Sequence, residues 1–404
     1  MFNFWKRSHP QRINNDTIFQ KLEEHPESVS QEATSPQRLP LVSTMVRDSS
    51  QLLRGSKLRF TEDGHYNLDL IKNLIPTPEL IAETISLGSL APKEVLLIYL
   101  GNIANPGIIT EVKQRLRTIK ARTLYESSYI QRNIEDSTLS PFPQVEVSER
   151  PDVAVSALFQ GRAVIILDGS PDVLLAPSTF FDLMDTPDDV SNRWFFAASF
   201  FKLARYIMLL LAGCLPGFYI ALLSYNPEMI PTRLLLLILD SREGTPFPVY
   251  FEVFLMLGIS EAFRMMLIRM PSLMGSSVAL FSGITLLIAG LFTNTIGGGL
   301  VIVVTLTVMS SFAIPDYDLR TAIRMIQFLT MIISSFLGLF GFALAFFLIC
   351  IHLSTLKSFG IPYMAPMATM EVSAWGHTLL REDSEEMPID DTYKPQNPLK
   401  KKGG

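Results

Sequence analysis

Charge is what this 404-residue sequence has least of: Asp, Glu, Lys and Arg make up 18% of it and the net charge is −5. A pI near 5.7 and no basic patch exclude a nucleic-acid binder. Cysteine is almost missing. Cys214 and Cys350 lie far apart among Leu, Ile and Phe, which excludes a disulfide framework and reads as two small hydrophobes. The signatures of catalysis are missing too: no HExxH, P-loop, GxSxG or Cys/His metal spacing occurs. The five histidines, His9, His25, His65, His352 and His377, are scattered. No enzyme activity, cofactor or metal is expected. Repeats of solenoid period are absent, and the opening MFNFWKRSHP lacks the apolar core of a signal peptide.

What is present is long hydrocarbon. Mean hydropathy is +0.28, and most of the charge lies before Arg205 or after Lys357. A spanning helix takes about 20 mostly apolar residues. No charged residue falls between Arg205 and Glu228, which supplies one span, interrupted by Pro216. None falls between Arg269 and Asp316, which supplies two, with a turn at Ile296 to Leu300. The run from Arg324 to Lys357 supplies one tilted span, with His352 as an interfacial anchor at its end. A fifth segment, Pro246 to Ile268, carries Glu252, Glu261 and Arg264. It is either an interfacial helix or a span packed inside protein; three-residue spacing lets Glu261 and Arg264 pair and favours the second. Glu252 and Glu261 fall on opposite helix faces, and Glu252 suits a helix start.

Ahead of the spans, residues 1–56 are polar and Pro/Ser/Gln-rich, the composition of a disordered arm. Residues 57–140 mix helical and strand signals. PTPELIAETISL sets a Pro before an apolar-periodic run, EVLLIYLG is a buried-strand run, and PGIITEVKQRLRTIKARTLYESSYI reads as helix. Residues 141–194 form a Pro-punctuated subdomain. Its AVIILDG and SPDVLLAP runs make a β-hairpin turning at Asp168 and Gly169, with Gly161 ahead of it. Pro141, Pro143 and Pro151 remove backbone donors, and Glu149, Arg150 and Asp152 flank Pro151 in an extended charged turn. The expected architecture is thus an α/β soluble N-terminal domain followed by an α-helical polytopic membrane domain over 195–356. That domain has four to five transmembrane helices, the fifth being a span or else interfacial or re-entrant, and 357–404 is a polar tail.

Several stretches, in order and correctly spaced, carry a resemblance. LLIYLGNIANPGIITEVKQRL, PFPQVEVSERPDVAVSALFQGRAVIILDGSPDVLLAP, IPTRLLLLILDSREGTPFPVYFEVFLM, SFAIPDYDLRTAIRMIQF and HLSTLKSFGIPYMAPM resemble the A subunits of GerA-type spore germination receptors, over about residues 90 to 380. The first 90 residues, MLGISEAFRMML and MGSSVALFSG depart from the family's pattern. The resemblance implies a nutrient-sensing receptor subunit in the inner membrane of bacterial endospores. It also implies a transporter-like B subunit and a lipoprotein C subunit as partners, and a homo-oligomer, set in membrane lipid, that forms a pore conducting monovalent cations.

Within that frame the helix opening MGSSVALFSGITLLIAGLFTNT is the most pore-like. Gly275, Ala279 and Gly283 repeat at four residues, a face for close helix approach. Ser282, Thr285, Ala289 and Thr293 lie on an adjacent arc with Ile284 beside them, a candidate pore lining. The competing reading is that such hydroxyls bond only their own helix. The Pro141 to Gly169 module serves either as structural punctuation or, as a whole, as a subunit contact. A non-conducting scaffold and a solute transporter are the alternative functions, though no inverted repeat supports the transporter. Lys202 and Arg205 ahead of the first span favour a cytoplasmic, spore-core-side N-terminal domain, and PLKKKGG favours the same side for the tail.

Overall fold

In the computed structural model, residues 58–186, 195–269, 283–284, 288, 296–367 and 393 are described. The arm expected over 1–56 lies outside them.

The described residues open with helix α1 (Gly64–Leu74), then strands β1 (Leu80–Leu87) and β2 (Lys93–Leu100), and helices α2 (Pro106–Thr118) and α3 (Ser127–Ile134). Strand β3 (Glu146–Ser148), helix α4 (Pro151–Phe159) and strands β4 (Ala163–Leu167) and β5 (Val173–Ala176) follow. The five strands make one antiparallel sheet in the order β1-β2-β4-β5-β3. Period-two alternation is why both faces are apolar. Val95, Leu97, Ile165, Leu167 and Leu174 pack on one side with Ile109, Val112, Leu116, Ile130 and Ile134 of α2 and α3. Leu96, Ile98, Val164, Ile166, Val173 and Leu175 pack on the other with Leu68, Ile71, Ala154 and Leu158 of α1 and α4.

The hairpin expected from AVIILDG and SPDVLLAP is β4–β5, with Ile165 opposite Leu174 and Gly169 in the turn at φ +89°. Three expectations are corrected. LIAETISL is strand β1, because pairing with the buried β2 decides an ambiguous pattern. The long helix expected from Pro106 to Ile130 breaks: Ile119 is extended, and Thr123 bridges to Ala91. The ERPD turn leads into α4, whose first residue is Pro151, a position that needs no N–H. One sheet runs through both stretches, 57–140 and 141–194, since β2 pairs with β4.

Beyond the sheet come α5 (Phe195–Tyr225), with Pro216 inside it, α6 (Thr232–Asp240), α7 (Val249–Arg269), α8 (Gly298–Phe312) and α9 (Tyr317–Thr355). Among the described residues two helices are long and apolar enough to cross a membrane, Ser199–Tyr225 and Tyr317–Thr355. α8, with Gly297 at its N-cap, begins where the IGGGL turn was expected. The nine-residue α6, built from TRLLLLILD, has no counterpart among the expected elements.

The expected single span up to Lys357 is instead a helical hairpin. Gly338 has φ +60° and ψ −140°, and the arms 317–337 and 339–355 fold back on each other there. A Cβ on Gly341 would lie 2.6 Å from the Ile333 carbonyl oxygen, a contact no straight helix makes. Asp318 and His352, about 50 Å apart in a straight helix, both bond the sheet domain: Gln131 Nε2 donates to Asp318 Oδ2 at 3.0 Å, and Ser140 Oγ is 2.9 Å from His352 Nε2.

α5 runs beside the hairpin. Its start is tied to the sheet domain by the Lys202–Asp185 ion pair at 2.7 Å and by Arg205 bonding the Met184 carbonyl. Its end reaches the hairpin turn, where the Tyr225 hydroxyl donates to the Ser335 carbonyl. Between these ends, Gly213 packs on Ile323 and Gly217 on the Thr330 backbone, and Thr330 Oγ1 lies 3.1 Å from the Gly213 carbonyl. Small residues spaced by four allow this approach.

Candidate functional site

The sheet domain and the helices share one apolar core. Phe142, Phe180, Phe181, Leu183 and Met184 from the sheet side are buried together with Ala212 of α5 and Leu319, Ala322, Ile323 and Ile326 of α9. Leu356 and Tyr363, just past α9, complete it. The Phe142 ring sits 5.9 Å from His352 and 6.2 Å from Tyr363.

The residues after α9 are the most informative part. Strands β6 (Lys357–Ser358) and β7 (Ile361–Pro362) form a minute hairpin turned by Phe359 and Gly360. Phe359 has φ +49°, a left-handed conformation costly for a bulky residue. Its surroundings hold it there. The ring is 3% exposed and belongs to the core that packs α2 and α3 on the sheet. The Arg115 guanidinium lies 4.3 Å from the ring centroid, and the Phe359 N–H donates to Asp136 Oδ2 at 2.6 Å. Arg115 also bonds Asp136, and donates to the Ile134 carbonyl at 2.6 Å. Ser358 Oγ donates to the Gln144 carbonyl at 2.7 Å and accepts from Ser178 N at 3.2 Å. The Tyr363 carbonyl accepts from Phe180 N at 2.9 Å. This is a correction to the polar tail expected from residue 357: Ser358, Phe359, Tyr363 and Ala365 are buried, because the sheet domain supplies the core they fill.

Two carboxyls of this junction are kept from ionising normally. Burial pushes Glu135 up to about 7, against the bond it accepts from Gln144 N, and the charge of Asp318 adds to the rise. Asp316, the N-cap of α9, is likewise pushed to about 7 by burial, against its bond from Leu319 N. Deeper in, Arg162 is 3% exposed; it bonds Glu146 at 2.7 Å and the Pro177 carbonyl at 2.7 Å, with the Tyr393 ring 5.8 Å away.

The residues singled out in the 141–169 module are internal fastenings. Pro141 is exposed and Pro143 buried. Glu149 pairs with Arg59 at 2.6 Å, and Arg150 grips Asp152 through two bonds of 3.0 and 2.6 Å. Gly161, at φ +85°, follows the end of α4, and Asp168 Oδ1 accepts from Gly64 N at the start of α1. Among the bonds described, theirs stay within the sheet domain.

The charges expected inside the membrane, Glu252, Glu261 and Arg264, divide into two clusters, as opposite helix faces require. Glu252, 1% exposed, pairs with Arg242 and accepts from Gly297 N at 3.3 Å, so it joins α7 to the turn after α6 and to the start of α8. Glu261 pairs with Arg264, whose Nε donates at 3.0 Å, and also faces Arg324 Nη1 at 3.6 Å. Arg242 and Arg324 were not legible as partners, since each lies on another element.

Of the expected pore arc, Ser282, Thr285, Ala289 and Thr293 lie outside the described residues, as do Gly275 and Ala279. Ile284 is 49% exposed, and a Cβ on Gly283 would meet nothing within 4 Å among the described residues. The close helix approach that the structure does describe is at Gly213 and Gly217, a four-residue glycine spacing in LAGCLPGF that the sequence displayed openly. Among the described residues no group of three or more His, Cys, Asp or Glu is placed to hold a metal ion.

Comparison with known proteins gives one family. The family model of the Bacillus/Clostridium GerA spore germination proteins matches residues 42–391. The chain is 34% identical over 349 residues to spore germination protein A1 of Bacillus subtilis, covering 86% of this chain and 71% of that protein. It is 35% identical over 313 residues to the uncharacterized membrane protein YfkQ of Bacillus subtilis, covering 78% and 61%. Spore germination protein GerLA of Bacillus cereus is 33% identical over 336 residues, covering 82% and 68%. The chain therefore spans 61% to 71% of the length of these relatives. Among solved structures, the N-terminal domain of the A subunit of the Bacillus megaterium spore germinant receptor GerK3 is 38% identical, covering 30% of this chain and 98% of that chain, with a TM-score of 0.26.

Proposed function

We infer what this chain does from the family it belongs to, the Bacillus/Clostridium GerA spore germination proteins. It is the A-type membrane subunit of a germinant receptor in the inner spore membrane, with its sheet domain on the core side. A transporter-like B subunit and a lipoprotein C subunit are its partners. Nutrient binding in the complex reorients the sheet domain, and copies of the chain assemble around a path for monovalent cations lined by the arc of Ser282, Thr285 and Thr293. The domain division at residue 195 belongs to the same proposal.

One observation carries this reading: the insertion of Phe359 into the sheet-domain core. A domain joined to helices by a single linker could rotate freely. Here α9 leaves the domain at Asp316, reverses at Gly338 and returns to it at Phe359, so a movement of the domain moves both arms. Such a two-point attachment suits gating. The test is potassium release from spores carrying Phe359→Ala at matched protein level. Nutrient-triggered release should fall at least tenfold while the subunit stays in the membrane. Release at the parental rate would refute coupling through this contact.

A further inference from the structure

At the end of the helices nearest the sheet domain three guanidiniums gather, those of Arg264, Arg320 and Arg324, and among the described ion pairs Glu261 is the only carboxylate paired with any of them. Arg264 on α7 and Arg324 on α9 share the single carboxylate of Glu261. Arg320, one turn before Arg324, is close enough to Arg264 for the two to repel, and its donors go to the Ile314 carbonyl at 3.2 and 2.6 Å. Asp316 attracts Arg320, yet no described ion pair joins them, and the Asp316 carboxyl accepts from Leu319 N as the cap of α9. Asp318 turns away to Gln131. Arg324 is 8% exposed, and its Nη1 has no hydrogen-bond partner among the described residues. A buried guanidinium that shares one carboxylate with a second arginine, has a third beside it and leaves Nη1 without a hydrogen bond favours a further acceptor that carries negative charge.

We propose that Arg264, Arg320 and Arg324 form a binding site for the phosphate of an anionic phospholipid headgroup. Arginine suits this ligand because its planar fork bonds phosphate oxygens in pairs. The depth is right as well: the site is in the first two turns of α9, where the apolar helices meet the polar domain and where lipid phosphates collect. Exposed apolar side chains flank it, Met265 and Ile268 on α7, Phe312 on α8 and Met325 on α9, each at least 60% exposed. They give the acyl chains a surface that a free phosphate would leave bare. The side chains of Glu261 and Arg264, 22% and 27% exposed, leave an approach from outside.

The experiment is native mass spectrometry of the full chain in neutral detergent, with phosphatidylglycerol, phosphatidylcholine or inorganic phosphate added. Retention of phosphatidylglycerol should exceed that of phosphatidylcholine at least tenfold, and Arg264→Gln and Arg320→Gln should each lower it threefold or more. These two are preferred because Arg324 is buried and its loss endangers the fold. Equal retention of the two lipids by the unaltered chain would overturn the proposal without any variant; an acidic residue of another protein would then be the better candidate for the acceptor. Complete displacement of phosphatidylglycerol by inorganic phosphate would also overturn it, and would leave a free-anion site in its place.

Discussion

The ring of Tyr225 occupies the space that any side chain on Gly338 would need: a Cβ there would stand 2.7 Å from Tyr225 Cγ and 2.9 Å from Tyr225 Cβ. The last residue of α5 thus closes over the turn of the α9 hairpin, and its hydroxyl bonds the Ser335 carbonyl beside it. Two separate obstacles face Gly338→Ala. The backbone, at φ +60° and ψ −140°, sits where only glycine enters readily, which costs about 1–3 kcal/mol for other residues. The clash with Tyr225 adds to it. We expect a clear drop in the melting midpoint in detergent. Adding Tyr225→Ala should lower the further cost of Gly338→Ala, leaving only the backbone part. Equal cost in both backgrounds would mean that the ring is not the obstacle.

Glu261 serves two guanidiniums, so losing it and losing Arg264 are not equivalent. Arg264→Ala leaves Glu261 facing Arg324, so the loss is small. Glu261→Gln leaves Arg264 and the buried Arg324 without their carboxylate. Breaking a buried pair from one side costs about 3–5 kcal/mol, and partial exposure of Glu261 reduces that to roughly 2 kcal/mol. Thermal unfolding should show Glu261→Gln as the more damaging change. The opposite order would show that Arg324 draws nothing from Glu261.

Legibility in the sequence followed locality. AVIILDG and SPDVLLAP announced their hairpin because the turn and both strands are contiguous, and uncharged length located the long helices. LIAETISL did not declare itself a strand, since its partner β2 decides the matter. The hairpin in α9 was hidden for a different reason: hydrophobic length does not distinguish one tilted helix from two arms, and one glycine conformation makes the difference. Phe359 and Arg324 were missed because their partners, Arg115, Asp136 and Glu261, are distant in sequence. The Glu261–Arg264 pair was found because both ends sit on one helix.

Gly217 lets α5 lie against the first arm of α9. A Cβ there would stand 3.1 Å from the carbonyl carbon of Thr330 and 3.2 Å from its oxygen. That is tight without being a clash, so Gly217→Ala should be mild. The neighbour is backbone, which yields little, so Gly217→Leu should push the helices apart, at about 1–3 kcal/mol or more by the usual cost of overpacking. The readout is protease resistance of the purified chain, together with its melting midpoint. Indifference to Leu would place the helix contact elsewhere.

Glu135 and Asp316 both titrate near 7 in the folded chain, well above the values of 4.5 and 3.8 that these groups start from. Between those values and 7, the folded state holds protons that the unfolded state has released. Stability must therefore fall as pH rises through this window, and level off once both carboxyls are ionised in either state. Glu146 and Asp172, also raised by burial, act in the same direction. Glu83, lowered by its bonds from Lys113 and Tyr99, acts the opposite way, but below its ordinary value of 4.5 and so at more acid pH than the measurement covers. The melting midpoint of the full chain in detergent should accordingly drop by several degrees from pH 5 to pH 8. Glu135→Gln keeps an oxygen for the Gln144 N–H, bonded at 3.1 Å, while removing the titrating proton. It should flatten part of that slope and raise the midpoint at pH 8 relative to the parent. A parent whose midpoint climbs towards pH 8, or a Glu135→Gln chain with the parental slope, would show that the junction carboxyls are already ionised in the folded state.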